Sequence, residues 1–121
     1  MKNACPCGKP LDYAACCGIY HSGRKALDPE TLMRSRYSAY VRGLAPYVLQ
    51  TWHPSTRPER LNLEEEPRPK WLGLQVKACI SDTVEFVARY KIGGKAYRLH
   101  ETSRFLFEEG AWLYLEGVIH D

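Results

Sequence analysis

The chain has 121 residues, 45% of them hydrophobic and 26% charged, with a formal net charge of +3. That is one domain, or one small domain with an appendage, and so mild a charge makes no strong demand for a nucleic-acid partner. No stretch reaches the roughly 18 to 20 apolar residues of a membrane span, and "MKNACPCGKP" has no apolar run behind its lysine, so neither a membrane protein nor a secretory leader is expected and the expected location is cytoplasmic.

The first element is "CPCGKPLDYAACCG", in which Cys5, Cys7, Cys16 and Cys17 fall within thirteen residues with almost nothing apolar between them. Three readings compete. Four thiolates can hold one Zn²⁺ tetrahedrally, with sulfurs at about 2.3 Å. Two thiols can pair, although a reducing cytosol disfavours a disulfide and adjacent cysteines bond only with strain. Four free thiols would leave a segment of about twenty residues with nothing to hold its shape, since pieces under roughly 40 residues need a staple. Zinc is therefore favoured. Pro6 stiffens the first turn, Gly8 lets the chain bend, "LDYAA" returns it as a short helical turn, and Gly18 releases it. His21 could hydrogen-bond a sulfur or replace a ligand, ranking behind the four thiols. The fifth cysteine, Cys79, sits alone in "LQVKACIS", as a small packed side chain would.

"YHSGRKALDPE" is a hinge. Asp28 is a good helix N-cap, Pro29 suits the first helical position, and a helix is expected over "PETLMRSRYSAYVRG". Met33, Tyr37, Tyr40, Val41 and Leu44 make one apolar stripe, and Gly43 ends the helix. A second short helix starts at Pro46 and stops before His53-Pro54, where His53 would cap the preceding turn. "STRPERLNLEEEPRPK" reads as a loop.

From Trp71 the period becomes two. Leu72, Leu74, Val76, Ala78 and Ile80 alternate, then Val84, Phe86, Ala88, Tyr90 and Ile92, with turns at Ser81-Asp82 and Gly93-Gly94. "KAYRLHETSRFLFEEG" places Tyr97, Leu99, Glu101, Ser103, Phe105 and Phe107 on one face and His100 on the other. After Glu109-Gly110 comes "AWLYLEGVI". Helices followed by a four-stranded meander make an α+β domain, with the helices on one face of a curled antiparallel sheet.

The cysteine segment resembles the SEC-C motif, a small zinc-binding element found at the C-terminus of the SecA translocation ATPase and in many unrelated proteins. Cys5, Cys7, Cys16 and Cys17 match its ligands one for one. Gly8-Lys9 stands where many members have Gly-Ser, a departure that touches no ligand. "LMRSRYSAYVRG", "TWHPSTRP" and "TSRFLFEEGAWLYLEG" resemble the YchJ family of small bacterial proteins. That resemblance implies a SEC-C knuckle, residues 1–22, ahead of a nuclear transport factor 2-like (cystatin-like) cone, residues 23–121. It implies a fold and a metal but no reaction.

Two roles follow for the residues. SEC-C motifs elsewhere are similar to docking elements, which implies a protein or ribosome-associated partner for the knuckle, met by a basic surface of Lys2, Lys9, Arg24 and Lys25. Four sulfurs leave no open coordination position, so the metal is not expected to be catalytic. The rival is a small-molecule site or enzyme in the cone. Glu101 and Ser103 share the inward face, and a buried carboxylate needs a partner. Arg34 or Arg36 could supply it and orient an anionic group, with Tyr37, Trp52, His53 and Trp112 as further lining. Equally, an inward Glu–Arg pair can do no more than fix helix-to-sheet register. Nucleic-acid binding is the weakest reading, because it needs a strongly basic groove with exposed aromatics.

Overall fold

A computed structural model describes residues 3–120. A 3-10 turn, Tyr13–Ala15, is followed by three helices: α1 (Cys17–His21), α2 (Pro29–Arg42) and α3 (Ala45–Gln50). Four strands follow: β1 (Lys70–Ile80), β2 (Thr83–Ile92), β3 (Lys95–Glu108) and β4 (Ala111–Ile119). They form one antiparallel meander in sequence order. No helix among the described residues is long and apolar enough to cross a membrane.

Helix α2 starts as its sequence dictates. The Asp28 carboxylate accepts from the Thr31 backbone N–H at 2.7 Å, Pro29 occupies the first turn, and Gly43 closes the helix in the left-handed region at φ 73°. Its apolar side enters the main core, where Leu32, Met33 and Tyr37 meet Val84, Phe86, Ala88 and Phe105. The helix is buried over more of its circumference than one stripe, because Ser35, Arg36, Ser38 and Ala39 are also buried. The cysteine segment covers Ser38 from behind, Cys5 Sγ lying 4.0 Å from its hydroxyl, and Ser35 bonds Tyr47 of α3 at 2.8 Å. A small polar residue is what a helix presents when it is packed on both sides with its hydroxyls satisfied.

The strands depart from simple alternation where the register shifts. Strand β1 has bulges between Trp71 and Gly73 and between Val76 and Ala78. An extra residue reverses the parity beyond it. Leu74 and Val76 therefore keep the helix-facing side opposite Ala88 and Phe86, while Leu72 and Ile80, expected with them, are exposed and Ala78 pairs with Glu85. The second bulge also puts Cys79 opposite Val84, at an exposed position where its thiol donates to Glu30 at 3.3 Å. It is not the packed side chain its surroundings in the sequence imply. Along β3, Ser103 and Phe105 are buried, whereas Tyr97 and Phe107 lie beyond the helices and are exposed.

Candidate functional site

The four cysteines form a small core of their own. Cys5, Cys7, Cys16 and Cys17 are all buried, with Tyr13 packed against them, and none is in a disulfide. Backbone pairing brings them together. Ala4 bridges Asp12, the Cys5 N–H donates to the Leu11 carbonyl at 2.9 Å, and the Tyr13 N–H donates to the Asn3 carbonyl at 2.7 Å. Gly8 turns the chain at φ 94°, a conformation open to glycine at little cost. Gly18 does not release the chain as expected. It lies inside α1, and a Cβ there would come within 2.8 Å of the Tyr13 carbonyl oxygen, so the close approach of α1 to the turn requires glycine.

One sulfur from each cysteine lies within 4.8 Å of the others, and Cys7 and Cys16 are 3.6 Å apart. Sulfurs bound at about 2.3 Å to a tetrahedral ion sit about 3.8 Å from one another, so the donor set fits a metal ion with little rearrangement. Its electrostatics point the same way. Hydrogen bonding from Cys17 and from the backbone at Lys9 holds the Cys7 thiol at about 5 despite its burial. Burial and the neighbouring sulfurs push Cys16 up to about 11, and Cys7 pushes Cys17 up as well. The protein alone thus favours a thiolate at Cys7 over Cys16 and Cys17; four thiolates at this spacing need a cation among them.

The cluster is seated on α2. Arg34 Nη1 donates to the Cys7 carbonyl at 2.7 Å while its Nε pairs with Glu30 at 2.8 Å, and Cys17 Sγ lies 3.6 Å from the Arg34 carbonyl oxygen. The Arg42 guanidinium stands 3.8 Å from the Tyr13 ring centroid. His21 is neither ligand nor sulfur partner. Its Nε2 is 2.8 Å from the Ser35 carbonyl and its Nδ1 is 2.5 Å from the Tyr13 hydroxyl. A carbonyl only accepts, so Nε2 carries the proton and the Tyr13 hydroxyl donates to Nδ1. Burial keeps the ring below its usual pKa, in this neutral form. Of the basic residues expected around the knuckle, Lys9, Arg24 and Lys25 are exposed, and Lys2 lies outside the described residues.

A second constellation lies between the helices and the sheet. A cavity of about 280 Å³ is lined by Arg36, Tyr37, Trp52, Glu101 and Ser103, with Tyr40, Trp71 and Tyr114 closing its aromatic wall. Three residues expected there are elsewhere. Arg34 faces the cysteine segment, because α2 turns it about 200° away from Arg36 at 100° per residue. Trp112 packs at a tilt against Phe107 near the end of the sheet, with ring centroids 5.3 Å apart. His53 neither lines the cavity nor caps α3, since its ring bonds Ser55 at 2.7 Å and Glu108 at 2.8 Å.

The expected Glu101–arginine ion pair is also absent among the described residues. Glu101 accepts from the Ser103 hydroxyl at 2.6 Å and from the Tyr114 hydroxyl at 3.4 Å. Gly117 makes room for it, since a Cβ there would overlap the carboxylate. Arg36, only 6% exposed, donates through Nη1 to the Val48 carbonyl and the Thr51 hydroxyl, both at 2.8 Å. Its guanidinium lies 4.6 Å from the Tyr114 ring centroid and 5.1 Å from that of Trp52. Two aromatic faces and two oxygens therefore replace a carboxylate, although burial still lowers its pKa. Trp52 Nε1 is buried without a hydrogen-bond partner among the described residues. Tyr40, Trp71 and Tyr114, wall residues that sequence reasoning did not place in the cavity, could have been found only from the strand register and the packing of α2 on the sheet.

Comparison with known proteins agrees with this architecture. Residues 28–117 match the family model "YchJ, middle NTF2-like domain". The chain is 55% identical over 122 residues to a UPF0225 protein of Xanthomonas oryzae pv. oryzae, covering 96% of this chain and 95% of the relative. It is similar to the solution structure of a SEC-C motif containing protein from Rhodopseudomonas palustris, with TM-score 0.82 and 35% identity over 97% of this chain and 98% of that one. It is also similar to the crystal structure of a SEC-C motif containing protein from Psychrobacter arcticus, with TM-score 0.70 and 25% identity, covering all of this chain and 86% of that one. With its buried cysteine cluster seated ahead of a helix-covered four-stranded meander, the chain belongs to the YchJ family of NTF2-like domain proteins.

Proposed function

We propose that this is a cytoplasmic zinc-binding interaction protein in which residues 1–22 are the metal module and residues 23–121 the fold that carries it. The observation that carries the reading is the closed set of four buried sulfurs, Cys5, Cys7, Cys16 and Cys17. An all-thiolate tetrahedral site suits zinc, which would neutralise the thiolates and crosslink the two short segments. With every coordination position filled by protein, that ion is structural. The knuckle's task is then to present surface, and the exposed Lys9, Arg24 and Lys25 suit an acidic protein partner. Zinc content at one ion per chain, lost in Cys7→Ser and Cys16→Ser, tests the metal. Reversing the charge of Lys9, Arg24 and Lys25 tests the partner surface, because the fold and the zinc are expected to survive while association is lost.

A second reading is favoured by the orphaned Trp52 Nε1 beside the buried Arg36. Among the described residues neither donor is paired with a carboxylate, and Glu101 supplies an acceptor in the same cavity. A small planar molecule with an acceptor for Arg36 and Trp52 and a donor for Glu101 fits this lining. The cavity lies near the lower end of the roughly 300 to 1,000 Å³ of ligand pockets. In an enzyme, Glu101 would be the acid or base and Arg36 would orient an anionic group. A thermal shift with a metabolite set, abolished in Glu101→Gln at preserved stability, supports it; lost stability with no ligand effect leaves Glu101 a structural residue.

A further inference from the structure

The face of the sheet turned away from the helices carries a cluster with no part in either site above. Glu85 on β2, His100 on β3 and His120, which follows β4 directly, lie side by side there. The strand register sets them: Glu85 pairs with Thr102, His100 pairs with Val87, and the His120 N–H donates to the His100 carbonyl at 2.8 Å, extending the β3–β4 ladder by one step. His100 Nε2 is 2.7 Å from a Glu85 carboxylate oxygen, the two imidazole rings are 4.4 Å apart between centroids, and His120 Nε2 is 2.8 Å from the Thr102 hydroxyl. One donor atom from each of Glu85, His100 and His120 lies within 4.8 Å of the other two.

We propose that Glu85, His100 and His120 form a second metal site, for a divalent borderline transition ion such as Zn²⁺, on the open face of the sheet. Two imidazoles and one carboxylate are the donor set that such ions accept. The arrangement is stiff where a chance surface pair would not be, because two of the residues are cross-strand neighbours and the third is one pair away on the adjoining strand. A carboxylate beside a single histidine is accounted for by an ion pair. The second imidazole, packed against the first, adds another nitrogen donor on the same side of that pair. One divalent ion can draw a donor from both rings and the carboxylate at this spacing. Thr102 then orients the His120 ring from outside the donor set. Three protein donors leave at least one coordination position facing solvent, in contrast to the closed sulfur site.

Calorimetric titration of the zinc-loaded protein with Zn²⁺ tests the site, since the thiolate cluster is then already filled. One further equivalent is expected to bind saturably. Removing a donor in His120→Ala or Glu85→Gln is expected to weaken that event by at least about tenfold, with the first zinc retained. His120 is exposed, so its replacement leaves the fold intact and keeps the test valid even if His100→Ala proves unstable. No saturable second event, or one unchanged in His120→Ala, overturns the proposal.

Discussion

The Arg34 guanidinium donates to the carbonyl oxygen of Cys7 across 2.7 Å, joining the middle of α2 to the middle of the cysteine turn. Its Nε is held by Glu30 one helical turn earlier, so a side chain aligned by its own helix joins the Cys17 and His21 contacts in fixing where the knuckle sits. Glu30 is kept below its usual pKa chiefly by this arginine. The knuckle is therefore a docked element with a defined face toward the body.

Replacing Arg34 is expected to loosen that seat. Arg34→Ala leaves the Cys7 carbonyl without its donor and should cost about 1 to 3 kcal/mol. Arg34→Lys should recover only part of the loss, because an ammonium cannot keep the planar fork that serves Glu30 and Cys7 together. Chemical denaturation and the rate of zinc release to a chelator check this; unchanged release in Arg34→Ala would show that the knuckle is seated by other contacts.

Gly18 allows a sharper test of packing. A methyl group there meets the Tyr13 carbonyl oxygen at 2.8 Å, and neither atom can move without shifting α1 or the turn that carries the cysteines. Gly18→Ala is expected to destabilise the knuckle by about 1 to 3 kcal/mol, as overpacking does, despite alanine's better helix propensity. Thermal unfolding of the zinc-loaded protein is the measurement.

The His21 bridge makes stability depend on pH. Its folded pKa is lowered by burial, so the unfolded chain takes up the proton first. The contribution is complete above the unfolded value near 6.5 and is lost as pH falls through the lower folded value. His21→Phe should remove this slope and cost about 1 to 3 kcal/mol at neutral pH, since the Tyr13 hydroxyl loses its acceptor. Melting temperature against pH, with zinc content followed in parallel, separates the histidine from acid release of the metal.

Arg36 is expected to be more sensitive than Glu101. Arg36→Met leaves the Thr51 hydroxyl and the Val48 carbonyl short of a donor and removes a cation from two aromatic faces, a combined loss of about 2 to 4 kcal/mol. Glu101→Gln retains an acceptor for Ser103 and Tyr114 and should cost about 1 kcal/mol or less. Equal losses would mean that the two charges act as one unit despite the absence of direct contact.

The sequence made the helices and the cysteine cluster legible because their signals are local. Asp28-Pro29, Gly43 and the close spacing of Cys5, Cys7, Cys16 and Cys17 each act within a few residues. What it hid depends on long-range register. The bulges beside Leu72 and Val76 moved Leu72 and Ile80 out and exposed Cys79 at the α2 edge of the sheet. Arg34 and Arg36 look equivalent in the sequence, yet one faces the knuckle and the other the cavity. His53 and His21 looked free to cap or to ligate, and each found partners far along the chain, Glu108 for one and Ser35 for the other. A half-buried histidine takes whichever donor or acceptor the tertiary fold brings within reach, and spacing alone does not reveal it.

The most direct test of the central claim is the absorption spectrum of the cobalt-substituted protein. The account predicts an intense thiolate-to-cobalt charge-transfer band and tetrahedral ligand-field bands at one ion per chain, displaced by one equivalent of zinc and abolished in Cys7→Ser. A spectrum without the charge-transfer band, from protein prepared under reducing conditions, would contradict it.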